Sequence, residues 1–301
     1  MADLRTVFAD VPTDHRRFGV IGWPLGYSLS PAMQNAAIAR FGFRAVYRAV
    51  KVAPADWTEF LETVGEQNGL EGFNVTIPYK EKILALASSV HSSAALCGAA
   101  NTLVRGPRGW KAFSTDGQGL LDDLREKNIA WEGKSVVLLG AGGAARAAFF
   151  ALGKTARSIA LVNRSRGRAE NLAKEFRSQG AGAEVQVNPG LREALEGAEL
   201  LVNATSVGLG EGDPSPVPSK SLRASRAVYD MVYHRETALV KDGRAAGAAA
   251  VGGLGMLVQQ GAQAFELWFG EDLKKVKYDP PELRGIMASA ASAALKERTN
   301  P

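Results

Sequence analysis

Short apolar runs alternate with helical patterns along most of the chain. FGVIG (Phe18–Gly22) has the composition of a buried strand, and Ser30–Gly42 has helical periodicity after a Ser-Pro start. The alternation continues through a strand-like run at 45–52, a helix-like run at 54–64 and the strand-like GFNVTIP at 72–78. Such a rhythm predicts a mostly parallel sheet with helices on both faces.

The rhythm breaks near the middle of the chain and then restarts. Two extended runs around GPRG in Thr102–Phe113 predict a hairpin, and Asp116–Lys127 predicts a helix. A second β-α-β series starts at Lys134 and includes the strand-like AVYDMVY (Ala227–Tyr233). Because a late helix often packs back on the first domain, we predict two α/β domains, 1–115 with 254–301, and 116–253.

A glycine-rich turn follows the predicted strand SVVLL and opens a helix. Residues 140–145 fit the pattern G-x-G-x-x-G/A. Gly140 would make the tight turn, Gly142 would let the backbone approach a pyrophosphate, and the small Ala145 would let the helix pack on the strand. A close-packed turn in a non-binding domain is the alternative. A bound dinucleotide would lie against Gly140, Ala141, Gly142, Gly143 and Ala144.

The end of the next strand distinguishes between the two nicotinamide cofactors. NAD-binding domains hold the ribose 2′-hydroxyl with an acidic residue about 20 positions after the glycines. Here the strand ends in Asn163-Arg164-Ser165, and Arg168 follows one helical turn later. Guanidinium groups bind phosphate oxygens well. Positively charged side chains are unfavourable at a helix N-terminus unless an anion binds there. The segment therefore favours NADP over NAD.

The bulk composition narrows the class of protein. The 301 residues are 46% hydrophobic and 22% charged, as in an ordinary globular protein. The formal charge of +5 is scattered, without a basic stripe interleaved with aromatic residues, so we expect small anionic ligands and no nucleic acid. The single Cys97 excludes an internal disulfide and suits a reducing cytoplasm.

Membrane and metal binding have no support in the sequence. The N-terminal segment has charges throughout and no signal-like apolar core, and no apolar run is long enough to span a bilayer. The three histidines have no ligand spacing with Cys97, so we predict no metal site. A monomer and a homodimer both remain open.

Polar residues collect just past the predicted strands of the first half. In a parallel sheet, ligands gather beyond the carboxyl ends of strands. Ser30-Pro31 has the pattern of an N-cap and first helical residue, so a carboxylate could bind at Ser28 and Ser30 near that helix start. Each serine could equally only shape a turn. The other strand-end candidates are Thr76, Lys80, Asn101 and Asp116.

Nine short motifs follow one another along the chain: GYSLSPAMQNAA, NVTIPYK, GAANTL, STDG, LLGAGGAARA, VNRSRGRA, NATSVG, YDMVY and GLGMLVQQ. In these motifs and in their order, the chain resembles the shikimate dehydrogenase family from about Phe18 to Gly270. It implies a substrate-binding α/β domain, a Rossmann NADP-binding domain, and the interconversion of 3-dehydroshikimate and shikimate in aromatic amino acid biosynthesis.

The resemblance also implies roles for individual residues. Lys80 and Asp116 would form the catalytic pair at the reacting oxygen. Ser28 and Ser30 would bind the substrate carboxylate. The further substrate-binding residues would be Thr76, Asn101, Tyr233 and Gln260. The further cofactor-binding residues would be Asn163, Arg164, Ser165, Arg168, Thr205, Ser206, Met231 and Gly253.

Departures from the family pattern leave the fine specificity open. Gln34 stands where a histidine is frequent, Ser114 replaces an asparagine, and Gly252 replaces an acidic residue. A quinate or quinate/shikimate dehydrogenase and an aminoshikimate dehydrogenase remain alternatives, as does a regulator that only binds pathway metabolites. Such a regulator could dispense with Lys80 and Asp116, which this chain retains.

Overall fold

The computed structural model describes residues 4–65, 69–180, 182–223 and 226–299. The described residues divide into two compact units. The first has the bounds Met1–Thr115 and Val258–Pro301, and the second has the bounds Asp116–Leu257. Each unit contains one six-stranded sheet with helices, which confirms the predicted α/β class.

The sheet of the first unit is mixed. Its strands are β1 Arg16–Gly22, β2 Ala45–Lys51, β3 Leu70–Val75, β4 Ala87–Val90, β5 Thr102–Gly106 and β6 Gly109–Phe113. Their spatial order is β2-β1-β3-β5-β6-β4. β1 pairs in parallel with β2 and β3, whereas β5 is antiparallel to β3 and β6. The predicted hairpin is therefore the antiparallel part, and β4 adds a parallel edge on β6.

The sheet of the second unit is wholly parallel. Its strands are β7 Ser135–Leu139, β8 Ser158–Val162, β9 Glu184–Val187, β10 Leu200–Asn203, β11 Ala227–Asp230 and β12 Ala249–Gly252. The spatial order is β12-β11-β10-β7-β8-β9, so the chain reverses direction across the sheet between β7 and β10. In doubly wound sheets, ligands bind beyond the carboxyl ends of the strands at this reversal.

The helices connect and cover the strands. In chain order they are α1 Leu4–Val7, α2 Ser30–Arg40, α3 Trp57–Gly65, α4 Ser92–Cys97, α5 Asp116–Glu126, α6 Gly143–Leu152, α7 Arg166–Ser178, α8 Leu191–Glu196, α9 Ala238–Ala245, α10 Leu254–Leu273 and α11 Pro280–Thr299. Short 3₁₀ turns lie at Pro54–Asp56, Lys82–Leu86 and Ser219–Ser221.

Both faces of β1 are covered. Ile21 belongs to the same apolar cluster as Phe60 of α3. On the opposite face, the ring of Phe18 packs 5.2 Å from that of Trp268 on α10. This burial on two faces explains why the sequence of β1 is a continuous apolar run and not an alternating one.

Some elements were missed or placed wrongly from the sequence. The missed ones, α1, β4, α4, α8 and α9, are eight residues long at most, too short for a clear period. The strand predicted over 227–233 ends at Asp230. The carboxylate of Asp230 accepts the N–H of Val232 at 3.1 Å and the hydroxyl of Thr237 at 2.6 Å, which turns the chain away from the sheet.

Candidate active site

The two candidate carboxylate-binding serines flank the start of α2. Ser28 and Ser30 are both buried, and the N–H of Ser30 points to the Ser28 hydroxyl oxygen at 3.4 Å. The predicted N-cap at Ser30 is wrong: Leu29 is the N-cap, with φ −94° and ψ −5°, and Ser30 is the first helical residue. The serine pair nonetheless stands at the N-terminus of a helix, where the dipole favours anions.

Thr76 lies directly beyond β3, beside the end of β1. Its N–H donates to the carbonyl of Ile21 at 2.8 Å. A Cβ at Gly22 would lie 2.3 Å from the Thr76 methyl carbon, so only glycine allows this approach. Thr76 is thereby held beyond the carboxyl ends of two adjacent parallel strands, as predicted.

The backbone on both sides of Lys80 is fixed. The buried ring of Tyr79 stacks on Trp57, with centroids 4.0 Å apart, and its hydroxyl donates to the Val52 carbonyl at 2.7 Å. The carbonyl of Lys80 accepts the N–H of Ala100 at 2.8 Å. These contacts position the partly buried lysine just past a strand that is interior to the sheet.

A buried hydrogen-bond network surrounds Asn101. Its amide nitrogen donates to the Thr115 hydroxyl at 2.8 Å and to the Gln260 side-chain oxygen at 2.9 Å. Its amide oxygen accepts the N–H of Thr115 at 2.7 Å. Two of the predicted substrate ligands, Asn101 and Gln260, are therefore joined within one unit.

The residues that support this network were not predicted from the sequence. Asn74 of β3 donates to the Asn101 carbonyl at 3.1 Å and to the Thr102 hydroxyl at 3.0 Å, while Tyr47 donates to Asn74 at 2.7 Å. The polar Asn74 inside the apolar run GFNVTIP was the one available signal, because a buried amide needs partners.

Asp116 is the first residue of α5 and of the second unit, and it is buried. It follows Thr115, whose backbone the Asn101 network holds. Lys80 belongs to the first unit. The pairing of Lys80 with Asp116 stays a prediction.

The glycine-rich turn has the geometry that a bound pyrophosphate requires. Gly140 has φ +112°, and a Cβ there would lie 2.9 Å from the Ala204 carbonyl. Gly142 is the N-cap of α6, and apart from Gly142 itself and its two chain neighbours no atom lies within 4 Å of the position its Cβ would take. Ala145 is fully buried where the helix meets the sheet. Open space at Gly142 and a helix N-terminus together form a cradle for an anion.

The segment after β8 carries the predicted cations. Arg164, Ser165 and Arg168 are exposed, and the first turn of α7 contains no acidic residue. Asn163 is anchored by Asn188, which accepts its N–H at 2.8 Å and donates to its carbonyl at 2.9 Å. Asn188 has φ +45° and was not predicted as part of the site.

The segment after β10 is organised by the buried Asn203. The Asn203 oxygen accepts the N–H of Thr205 at 3.1 Å and its hydroxyl at 2.7 Å, and the amide nitrogen donates to Asp230 at 2.9 Å. Ser206 is exposed beyond this turn. The strand order reverses between the neighbouring strands β10 and β7. Thr205 and Ser206 follow the carboxyl end of β10, and Gly140 follows the carboxyl end of β7, at the same edge of the sheet.

The last predicted residues follow β11 and β12. The N–H of Met231 donates to the Asn203 carbonyl at 3.0 Å. A Cβ at Gly253 would lie 2.5 Å from the Met231 carbonyl oxygen, so glycine is required there. Tyr233 is partly exposed, with its ring edge-on to His234 at 5.9 Å.

The described part of the chain contains neither a metal-binding cluster nor a helix that could span a membrane. Its His, Cys, Asp and Glu side chains form no group of three that could hold a metal ion. None of its helices combines the length and the apolar character that a bilayer span requires.

Three family models match the chain. They are described as the shikimate dehydrogenase substrate binding domain over residues 20–103, shikimate / quinate 5-dehydrogenase over 123–209, and the shikimate 5'-dehydrogenase C-terminal domain over 253–274.

Individual relatives match over nearly the whole length. A shikimate dehydrogenase (NADP(+)) from Moorella thermoacetica is 40% identical over 281 residues, which cover 91% of this chain and 95% of the relative. The crystal structure of the Aquifex aeolicus shikimate dehydrogenase superposes with a TM-score of 0.82 at 33% identity, covering 94% of this chain and 99% of that one. The structure of the Thermus thermophilus shikimate 5-dehydrogenase in complex with NADP(H) and shikimate gives a TM-score of 0.76 at 35% identity, covering 91% and 99%.

Proposed function

The chain belongs to the shikimate dehydrogenase family, and from this premise we infer that it is an NADP-dependent oxidoreductase that interconverts 3-dehydroshikimate and shikimate in aromatic amino acid biosynthesis. The observation that carries this function is the similarity to proteins of that name over 91% of the chain.

We assign the two binding functions to the two parts of the chain. Residues 1–115 with 254–301 would form the substrate-binding domain, and residues 116–253 the cofactor-binding domain. The family models support this division, because the one described as substrate binding lies within the first range. The reversal of strand order and the glycine-rich turn, which suit a dinucleotide, both lie within the second.

On the substrate side, Ser28 and Ser30 would bind the carboxylate at the start of α2. Their support is the burial of both side chains at a helix N-terminus. Asn101 and Gln260 would bind ring hydroxyls, supported by the hydrogen bond that already joins them at 2.9 Å. We propose Thr76 and Tyr233 as further substrate ligands.

On the cofactor side, the pyrophosphate would lie against residues 140–144, supported by the open space at Gly142. Arg164 and Arg168 would hold the 2′-phosphate, with Asn163 and Ser165 shaping the turn. This is supported by the exposure of both arginines at a helix start without carboxylates. The remaining contacts would come from Thr205, Ser206, Met231 and Gly253.

In the proposed reduction, the carbonyl carbon of 3-dehydroshikimate would accept a hydride, which NADPH would supply when bound. The carbonyl oxygen then gains negative charge and needs a proton. Lys80 would donate that proton in reduction and accept it in oxidation, while Asp116 would orient the lysine and the substrate hydroxyl by hydrogen bonds. The rigid backbone on both sides of Lys80 supports this role, because proton transfer requires a fixed donor.

A quinate-oxidising activity is the second candidate. Arg164 and Arg168 disfavour it as far as it depends on NAD. For location we propose the cytoplasm, which suits a chain with the single Cys97.

The assay follows reduced nicotinamide by absorbance. Purified protein is incubated with shikimate or quinate, each with NADP or NAD. We expect the highest kcat/KM with shikimate and NADP. Turnover of quinate with NAD, and of no other pair, would mean that the protein oxidises quinate instead. No turnover with any pair would leave only a metabolite-binding role.

A further inference from the structure

Helix α11 contacts the helix that starts at the candidate carboxylate site. Near its start, Glu282 forms an ion pair with Arg40 at the end of α2. At its other end, the guanidinium of Arg298 donates to the Ser28 carbonyl at 3.0 Å, just before α2 begins. The two helices therefore run antiparallel, and the last turn of α11 lies at the serine pair.

The position of α11 does not depend on Arg298. Leu283, Met287 and Ala291 lie four residues apart and are fully buried. Arg284 joins α11 to α10 by donating to the Gln259 side-chain oxygen at 2.8 Å and to Glu266 at 3.1 Å. Arg298 lies at the exposed end of the helix, so a substitution there should leave this packing intact.

The hydrogen bond from Arg298 affects both the backbone and the electrostatics of the serine pair. It fixes the backbone of Ser28, whose hydroxyl oxygen lies 3.4 Å from the N–H of Ser30. It also brings a full positive charge to a site whose other donors are hydroxyls and a helix N-terminus. A carboxylate is attracted by that charge even without touching it, and salt weakens the attraction.

We propose that Arg298 is a positioning residue for the substrate carboxylate, acting through the Ser28 carbonyl and through its charge. This rests on the proposed function, because it takes the Ser28–Ser30 pair as the carboxylate site. It gives helix α11, which lies beyond the last family-model match, a role in substrate affinity.

The test compares Arg298→Gln, which keeps a donor and loses the charge, with Arg298→Lys, which keeps the charge. In shikimate oxidation, Arg298→Gln should raise the KM for shikimate about three- to tenfold, with kcat and the KM for NADP unchanged. Arg298→Lys should restore most of the affinity. Added salt should raise the KM of the wild type more than that of Arg298→Gln.

Lys274→Ala is the matched control, because it removes one charge from an exposed lysine that pairs with Glu271 in the same unit. Its KM for shikimate should equal that of the wild type. An unchanged KM in Arg298→Gln, or an equal rise in Lys274→Ala, would overturn the proposal. If the wild type did not oxidise shikimate, the proposed function would fall, and calorimetric titration with shikimate would still decide whether Arg298 strengthens binding.

Discussion

The hydroxyl of Tyr229 donates to the Asp123 carboxylate at 2.6 Å, and both side chains are fully buried in the second unit. Asp123 lies on α5 and Tyr229 on β11. A Cβ at Gly255 would lie 1.9 Å from the second carboxylate oxygen, so the same carboxyl group is packed against the first turn of α10. Burial raises the pKa of Asp123, and the bond from Tyr229 opposes that rise. One buried acid thus joins three elements of the unit.

This burial makes stability depend on pH. The pKa of Asp123 is raised above its ordinary value of 3.8, so between that value and the raised one the folded chain keeps a proton that the unfolded chain has released. The free energy of unfolding contributed by Asp123 therefore falls as the pH rises through this window. Asp123→Asn cannot titrate. The free energies of unfolding of both proteins are measured in urea between about pH 4 and 7. The difference by which the wild type is more stable than the variant should shrink as the pH rises.

Tyr229→Phe is the control for that experiment. Removing the phenol removes the bond that lowers the pKa of Asp123, so the window should extend to higher pH. The loss of stability, about 1–3 kcal/mol, should be larger at neutral than at acid pH. If the free energy of unfolding of the wild type instead rose with pH relative to that of Asp123→Asn, the folded chain would favour the ionised carboxylate.

The strand-end positions were predictable because a parallel sheet places its ligands by topology. Reading β3 and β7 as buried strands sufficed to locate Thr76 and Gly142 at their ends. The partners that hold these ends were not predictable. Asn101 and Gln260 are 159 residues apart, and Asn188 reaches Asn163 across 25 residues, so no local period connects them. The predicted N-cap, Ser30, was one residue too late. The preferences of serine and proline for the start of a helix do not distinguish between adjacent positions.

Lys80→Ala tests the proton-transfer role. We expect kcat to fall about 10²- to 10⁴-fold, because a positioned proton donor contributes that much, while the KM for shikimate changes little. The steady-state rates in both directions measure this. Lys82→Ala is the control, since Lys82 is an exposed lysine two residues further on. A variant of Lys80 that raises only KM would make the residue a binding group and not a proton donor.

Arg164→Ala and Arg168→Ala test the preference for the phosphorylated cofactor. Each should raise the KM for NADP about 10- to 100-fold, because charged hydrogen bonds to phosphate are lost, and leave the KM for NAD nearly unchanged. The ratio of kcat/KM values for the two cofactors is the measurement. Arg166→Ala, which removes an exposed arginine paired with Glu170 one turn further along α7, should leave that ratio unchanged. An equal loss with both cofactors would indicate damage to the turn as a whole.

The glycine-rich turn offers a pair of substitutions that separates folding from binding. An alanine at Gly140 would hold φ near +112° and press its Cβ to 2.9 Å from the Ala204 carbonyl. We therefore expect Gly140→Ala to lower the free energy of unfolding by about 1–3 kcal/mol.

At Gly142 the backbone has φ −92°, and the space its Cβ would take is open to 4 Å. Gly142→Ala should therefore fold with nearly wild-type stability. Its new methyl group would occupy the space that we assign to the pyrophosphate, so the affinity for NADP should fall about tenfold or more. Urea unfolding and calorimetric titration with NADP measure the two effects separately. Wild-type affinity in Gly142→Ala would show that the pyrophosphate lies elsewhere, because nothing in the protein itself fills that space.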